Sequence, residues 1–367
     1  MLTASIVLFK TSEEQLKTIL DCVLNSSYVE RIYLVDNSPT DELKKFSSYA
    51  SKIEYIYNDS NIGYGAAHNI AIKKAISIGS DYHVVLNPDI RFENDVLNKL
   101  ISFMDKNIDV GYILPKVIYP DGSMQYLCKL LPTPSDLIFR RFIPAVGPLK
   151  SWKEKKNDHY TLKMSGYDKI INPPCLSGCF MFLRLSTLKE NSIYFDDNFF
   201  MYFEDFDLIR RIHRVSKTLY YPEVTIIHDH AQESYHSKAM LKTHIKSAIK
   251  YFNKYGWIFD KERKLMNEKI IREIKEKMII QKTCVCNKVR IFLIIKKLLD
   301  IGCCTNSKEI LYFSCYCRNI IARIVKYFHK INTLAKIKIV RLFVASIFFV
   351  CHFSENIFSE LVYIKNQ

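Results

Sequence analysis

Short apolar runs and amphipathic stretches alternate over the first third of the chain. Apolar runs at 4–9, 31–35 and 53–57 predict strands, and residues 12–20 have the N-cap residue and the apolar spacing of a helix. A further apolar run at 84–86 is typical of a strand buried on both faces. Strands and helices that alternate in this way predict an α/β fold with a doubly wound, mostly parallel sheet flanked by helices.

Carboxylates follow two of the predicted strands. Asp36 follows the second strand, and Asn87-Pro88-Asp89 ends the strand at 84–86, because proline cannot donate to a sheet ladder. Open α/β sheets bind ligands at the carboxyl ends of their strands, where a carboxylate can hold a divalent cation or bind a ribose or pyrimidine. The alternative is that both aspartates only form turns or cap the next helix.

Two glycines, Gly63 and Gly65, precede the next predicted helix. Glycine lets a backbone approach a phosphate, and a helix N-terminus favours negative charge. The same glycines would also serve any tight strand-to-helix turn. They do not form the three-glycine dinucleotide fingerprint.

A second acidic cluster, Glu204, Asp205 and Asp207, lies among aromatic residues. Such surroundings desolvate a carboxylate and raise its pKa toward the range useful for a general base. Helical spacing places Asp207 one turn from Arg211, which allows an ion pair. The alternative is an acidic helix start. Further on, a predicted strand ends at His228, which suits either a metal ligand or a satisfied structural histidine.

The region 111–172 between these clusters is less regular. Its prolines break any long element, and Asp121-Gly122 predicts a hairpin turn. Loop-rich segments on a rigid sheet commonly read the substrate, so this region is expected to read the acceptor. Order resumes in a predicted strand that is entered through Gly178.

These motifs, in this order, resemble the inverting, GT-A-fold glycosyltransferases of family 2, in particular the rhamnosyltransferase-like branch of bacterial surface-polysaccharide synthesis. The matching segments are Ser5-Ile6-Val7, Val35-Asp36-Asn37-Ser38, Asn61-Ile62-Gly63-Tyr64-Gly65 through His68-Asn69, Leu86-Asn87-Pro88-Asp89, Ser177-Gly178-Cys179-Phe180, Phe203-Glu204-Asp205-Phe206-Asp207-Leu208 and His228. The resemblance covers residues 1–260.

The resemblance implies a donor site at the strand ends. Asp36 would read the donor's pyrimidine, with Asn61, Gly63 and Gly65 beside the nucleotide. Asn87 occupies the first acidic position of the family's Asp-x-Asp motif and would also lie against the donor. The last acid, Asp89, would hold Mg²⁺ or Mn²⁺ on the diphosphate, with His228 as a second ligand. Because Asn87 replaces an acid, we expect only modest metal affinity.

The resemblance also assigns the chemistry to the second acidic cluster. Asp205 would be the general base that deprotonates the acceptor hydroxyl in one inverting displacement. Glu204 or Asp207 would hold the acceptor or steady the helix, and the sequence does not separate these roles. Gly178 would leave room for substrate. The expected reaction transfers L-rhamnose from dTDP-rhamnose to a lipid-linked glycan of an O-antigen or capsule.

Two alternatives to this reaction stay open. Within enzymes, the donor would be UDP-galactofuranose or a UDP-hexose. From another class, the protein would be a catalytically weak scaffold that binds sugar nucleotide and membrane, an idea supported by the substitution at Asn87.

The residue composition of the chain changes after residue 260. We expect a GT-A domain at 1–260, with a nucleotide-sugar half at 1–110, an acceptor half at 111–230 and closing helices at 231–260. The region 261–367 mixes bulky apolar residues with cations, and the whole chain has a formal net charge of +15. It therefore predicts basic amphipathic helices on an anionic membrane surface. The alternative is a soluble helical bundle that could form a homodimer interface.

Composition and the absence of long apolar runs narrow the class of protein and its expected location. The chain is 49% hydrophobic and 25% charged, as in ordinary globular proteins. Its first residues lack signal-peptide features, and no apolar run reaches the roughly 20 residues of a membrane span. We therefore expect reduced cysteines and a cytoplasmic protein attached peripherally to the inner face of the plasma membrane. The paired cysteines after residue 283 do not have usual zinc spacing, and no nucleic-acid recognition motif is present.

Overall fold

The computed structural model describes residues 1–137, 146–229 and 238–279. Met1–Ile280 forms one compact unit. The predictions for the basic region beyond 279, including the paired cysteines and the dimer interface, lie outside the described residues.

The main elements of this part of the chain are eight strands and eight α-helices, and residues 134–137 are also helical. The strands are β1 (Leu2–Leu8), β2 (Val29–Asp36), β3 (Ile53–Tyr57), β4 (Tyr82–Leu86), β5 (Ile90–Phe92), β6 (Val110–Ile118), β7 (Phe180–Arg184) and β8 (Lys217–His228). The helices are α1 (Glu13–Leu24), α2 (Tyr64–Ser77), α3 (Val96–Lys106), α4 (Gly147–Tyr160), α5 (Leu185–Glu190), α6 (Glu204–Val215), α7 (Lys238–Tyr255) and α8 (261–279).

The strands form one mixed sheet in the order β3-β2-β1-β4-β7-β6-β8-β5. The β1–β2, β2–β3, β1–β4 and β6–β8 pairs are parallel, whereas β4–β7, β6–β7 and β5–β8 are antiparallel. The first four strands thus form the predicted doubly wound half. The carboxyl ends of β2 and β4 lie at the same edge of this half, as parallel pairing requires.

The local patterns that predicted these elements are confirmed. Helix α1 starts in a capping box between Ser12 and Gln15 and buries Leu16, Ile19, Leu20 and Val23. All five residues of β4 are buried, as expected for a strand covered on both faces. The Asp121-Gly122 turn forms as well, since the Tyr119 N–H donates to the Ser123 carbonyl at 2.8 Å.

A buried ion pair ties α6 to the segment after α7. The Arg210 side chain is 1% exposed, and its guanidinium donates to both carboxylate oxygens of Asp260 at 2.7 Å. It also bonds Glu262 and stacks over the Tyr255 ring, 4.0 Å from the ring centre. Such bidentate pairs fix two segments in one geometry. Helix α8 continues from this pair and places Ile270 and Ile274 in the core.

No helix within 1–137, 146–229 and 238–279 is long and apolar enough to cross a bilayer. The four described cysteines, Cys22, Cys128, Cys175 and Cys179, are all free thiols.

We predict that Arg210→Ala strongly destabilises the protein. The change leaves the Asp260 carboxylate buried without its partner, which costs about 3–5 kcal/mol in comparable pairs. For a domain of this size, Tm should fall by at least about 6 °C in thermal denaturation. The control is Arg214→Ala, because Arg214 pairs with the same segment through Glu262 but is 41% exposed. An exposed pair is worth at most about 1 kcal/mol. Equal Tm values for the two variants would contradict the prediction.

Candidate active site

The carboxylate of Asp36 is fixed at the end of β2. It is fully buried, accepts a bond from the Ser38 N–H at 2.8 Å and accepts another from the Tyr55 hydroxyl at 2.7 Å. Burial and then the bond to Asp36 raise the pKa of Tyr55, so this phenol stays protonated as a donor. Each Asp36 oxygen keeps a second lone pair. Two donors thus hold the Asp36 carboxylate in place, and its contact with a nucleotide stays a prediction.

An amide network joins the end of β2 to the loop before α2. The Asn37 amide donates to the Gly63 carbonyl at 3.2 Å and to the Asn61 side chain at 3.3 Å. Asn58 donates to Asn37 from the other side at 2.8 Å. The network places Asn61 and Gly63 next to Asn37 at the end of β2.

The two glycines of this loop are also required by packing. Gly63 has φ +95°, and a Cβ there would lie 2.5 Å from the Phe200 carbonyl oxygen. A Cβ at Gly65 would lie 2.8 Å from the Cβ of Phe195. The segment 195–200 therefore fills the space beside both glycines. Their contact with a nucleotide stays a prediction.

Tyr64 connects the end of β4 to the second acidic cluster. Its hydroxyl lies 2.9 Å from the Asn87 side-chain oxygen and 3.0 Å from the Gly178 carbonyl oxygen. The Gly178 N–H in turn donates to Asp205 at 3.1 Å. A Cβ at Gly178 would lie 2.9 Å from the Cβ of Asp205. The room that Gly178 leaves is thus occupied by the Asp205 side chain itself.

Asp205 lies at the start of α6, where the backbone is strained. Tyr202 and Phe203 both adopt left-handed conformations, with φ of +67° and +65°. Consecutive non-glycine residues in this region cost energy and are concentrated at functional sites. The turn brings Asp205 against Gly178, and the helix N-terminus favours negative charge there.

Glu204 and Asp205 differ in their surroundings. Burial raises the pKa of Asp205, against the lowering effects of the nearby Lys129 ammonium and of the Phe206 and Gly178 N–H groups. Burial and then the charge of Asp205 raise the pKa of Glu204 well above its ordinary value. One buried Glu204 oxygen has no hydrogen-bond partner in the described structure. Asp205 is therefore the carboxylate whose charged form is better stabilised.

Asp207 is committed to structural contacts. It is fully buried and pairs with Arg211 and with Lys254, each at 2.6 Å. The Tyr255 hydroxyl also donates to it at 2.6 Å. The predicted Asp207–Arg211 ion pair is confirmed. Of the two roles left open for Asp207, these contacts favour steadying the helix.

Asp89 and His228 meet at the ends of β4 and β8. The Nε2 atom of His228 lies 3.4 Å from a carboxylate oxygen of Asp89. Gln125 holds the histidine, since its amide donates to the His228 carbonyl at 2.7 Å and its side-chain oxygen lies 3.0 Å from Nδ1. That oxygen can only accept, so Nδ1 carries a proton and Nε2 faces Asp89.

These two side chains fit part of a metal site. The Asp89 oxygen that faces His228 is buried and has no hydrogen-bond partner among the described residues. Burial lowers the pKa of His228, but Cys179 and Asp89 outweigh burial and raise it to about 10, so a proton and a cation would compete for Nε2. Within the described ranges, no three His, Cys, Asp or Glu side chains could together hold an ion. A cation here would need further oxygen ligands, which a diphosphate and water can supply.

Three residues of this site were not predicted from the sequence. Tyr64 lies inside the glycine-containing segment before α2, but its bond to Gly178 spans 114 positions. Gln125 bonds a residue 103 positions away. Lys129 lies 5.2 Å from the centre of the Phe206 ring and carries no local signal at all. Each depends on contacts that only the folded chain creates.

Comparison with known proteins matches part of the chain to a family. Residues 5–184 match the model of glycosyl transferase family 2. The rhamnosyltransferase WbbL of Escherichia coli K12 is 28% identical over 250 residues, which cover 65% of this chain and 88% of that protein. A rhamnosyltransferase of Mycobacterium tuberculosis, named for N-acetylglucosaminyl-diphospho-decaprenol, is 23% identical over 59% of this chain and 72% of its own length.

Two other similarities are weaker or partial. The hexosyltransferase Agl10 of Haloferax volcanii, named for low-salt glycan biosynthesis, is 26% identical over 55% of this chain and 59% of that protein. The crystal structure of S. aureus TarS 1–349 aligns with a TM-score of 0.43 at 14% identity, over 70% of this chain and 74% of that one. The family match and the mixed eight-stranded sheet agree with the predicted GT-A-like architecture. The protein is a glycosyltransferase whose residues 5–184 match family 2, and it is similar to rhamnosyltransferases.

Proposed function

We propose that this glycosyltransferase transfers L-rhamnose from dTDP-rhamnose to a hydroxyl of a lipid-linked glycan, with inversion, in bacterial surface-polysaccharide synthesis. The observation that carries the proposal is the connection of Asp205, through Gly178 and Tyr64, to Asn87 at the donor edge of the sheet. The names of two relatives support rhamnose, and one of those names supports a polyprenyl-diphosphate acceptor.

In the proposed mechanism, Asp36 and the Asn61 loop bind the nucleotide. Asp205 accepts the proton of the acceptor hydroxyl as its oxygen attacks the anomeric carbon from the face opposite the leaving diphosphate. A single displacement of this kind inverts the anomeric configuration. Lys129 and two backbone N–H groups stabilise the charged form of Asp205. Mg²⁺ or Mn²⁺ held by Asp89 and His228 would neutralise charge on the leaving diphosphate.

We expect Asp205→Asn to abolish turnover while keeping donor binding. Removing a general base lowers kcat by about 10²–10⁴-fold. Donor affinity, measured by calorimetry with dTDP-rhamnose and Mn²⁺, should stay within about twofold because Asp205 faces the acceptor side. Transfer by Asp205→Asn at the wild-type rate would exclude Asp205 as the base. Donor binding without turnover in the wild type, across the tested donors and acceptors, would favour the scaffold instead.

The matched control for that experiment is Asp207→Asn, two residues further along the same helix, where the contacts favour a structural role. Its buried ion pairs with Arg211 and Lys254 predict a lower Tm as the main effect. The panel of donors should include UDP-galactofuranose and UDP-hexoses, since one relative is named a hexosyltransferase. Turnover with one of these, and none with dTDP-rhamnose, would replace the rhamnose assignment.

The rate should fall on the acid side at a higher pH than for an ordinary aspartate. Burial raises the pKa of Asp205 above 3.8, and a base acts only when deprotonated, so activity is lost as pH falls through that raised pKa. Lys129→Met removes a positive charge that lowers the pKa, and the acid limb should therefore move to higher pH. Lys129→Arg should restore the wild-type limb. The measurement is kcat against pH, and an unmoved limb in Lys129→Met would exclude this role.

Gln125→Ala should weaken metal affinity. Gln125 fixes the Nδ1 proton and the ring orientation of His228, and loss of such a partner typically costs about 10–100-fold in metal affinity. The readout is the Mn²⁺ concentration at half-maximal activity with saturating dTDP-rhamnose. An unchanged midpoint would argue that His228 does not hold the cation.

A further inference from the structure

A strongly exposed apolar loop lies between α7 and α8. Ile258 is 76% exposed and Phe259 is 92% exposed, and Trp257 beside them is 45% exposed. Leu265, in the first turns of α8, is 67% exposed. Contiguous exposed apolar side chains are uncommon on soluble proteins and mark interaction surfaces.

Several polar groups of this loop are bonded within the protein. The Trp257 indole N–H donates to Asn253 at 2.8 Å, and the Gly256 N–H donates to the Phe252 carbonyl at 2.8 Å. The buried Arg263 guanidinium donates to the Trp257 and Ile258 carbonyls at 3.4 and 3.1 Å. Each polar group that already has a partner lowers the cost of moving the segment out of water.

Lysines are exposed beside the loop. The Asp260 carboxylate is buried against Arg210, and Glu262, which is 32% exposed, bonds the same guanidinium. Lys261 and Lys264 are exposed on the outside, and Lys264 lies 4.0 Å from the exposed Glu268. An apolar tip flanked by lysines is complementary to lipid tails beneath anionic headgroups.

The loop is also joined to the acceptor side of the active site. Arg263 donates to the Pro132 carbonyl at 3.3 Å, and the Asn267 amide bonds both backbone groups of Leu131 at 2.9 and 3.0 Å. Lys129, in the same segment, lies against Phe206, the residue after Asp205.

We propose that the loop 256–260 inserts Ile258 and Phe259 into the interface of an anionic lipid bilayer, with Lys261 and Lys264 on the headgroups. This surface goes beyond the proposed transfer reaction and does not depend on the donor sugar. The test also distinguishes two other partners for this loop. These are a second copy of the chain and a segment of the same chain beyond residue 279.

The chain has two tryptophans, and this allows a direct test. Trp152→Phe in the full chain leaves Trp257 as the reporter beside the inserted residues. With vesicles of phosphatidylcholine and phosphatidylglycerol, Trp257 emission should shift to the blue and be quenched by brominated acyl chains. Vesicles of phosphatidylcholine alone should give a smaller response. Emission that is not quenched by brominated anionic vesicles would overturn the proposal.

A double variant tests the apolar contribution. Ile258→Ser with Phe259→Ser should weaken vesicle binding by about tenfold or more, because both side chains would otherwise leave water. The control is Ile108→Ser, since Ile108 is 83% exposed elsewhere on the surface. Equal vesicle affinity of the double variant and the control would overturn the proposal.

The other occupants give distinct results. A dimer that the double variant dissociates, measured by light scattering, would assign the loop to a second copy and overturn the lipid proposal. Trp257 emission that is blue before vesicles are added and is not quenched by them would assign the loop to a segment of the same chain beyond residue 279. That result would also overturn the lipid proposal. Transfer to a soluble acceptor should be unchanged in the double variant. Failure of transfer in the wild type would count against the proposed reaction alone and leave the vesicle result standing.

Discussion

The backbone of Gly178 joins the end of β4 to the acidic cluster at the start of α6. Its N–H bonds Asp205, and its carbonyl lies 3.0 Å from the Tyr64 hydroxyl, which also reaches Asn87 at the end of β4. No side chain larger than hydrogen fits at this position while Asp205 stays where it is. The backbone of Gly178 thus sets the distance between the end of β4 and Asp205, the proposed base. Preorganisation of this kind reduces the entropy cost of bringing two substrates together.

Three neighbouring acids at the start of α6 illustrate how environment decides role. Asp207 has two cations and a phenol and contributes to the position of the helix. Glu204 is buried with an unbonded oxygen, so its neutral form is favoured. Asp205 has backbone donors and one nearby cation, which oppose the rise that burial causes in its pKa. Sequence spacing alone could not divide these roles, because all three acids occupy the same helical turn.

The parts of the fold that depend on local pattern could be predicted from the sequence. The capping box of α1, the doubly buried β4 and the Asp207–Arg211 pair all follow from periodicity over a few residues. The antiparallel β7 and the short β5 were not predicted as such, because strand direction depends on pairing partners far along the chain. For the same reason, the sequence does not predict that Lys129 lies near Asp205.

The buried Arg210–Asp260 pair connects the exposed loop to the helix that carries the proposed base. Arg210 lies on the same helix as Asp205, and Asp260 is the last residue of the loop 256–260, so the loop and Asp205 are connected through one bidentate contact. The Asp260 carboxylate also accepts from the Arg263 N–H, and the side chain of Arg263 holds the loop carbonyls. Under the proposed insertion of the loop into a bilayer, these contacts would fix the height of the proposed base above the lipid. Depth of the acceptor hydroxyl would then be a determinant of specificity.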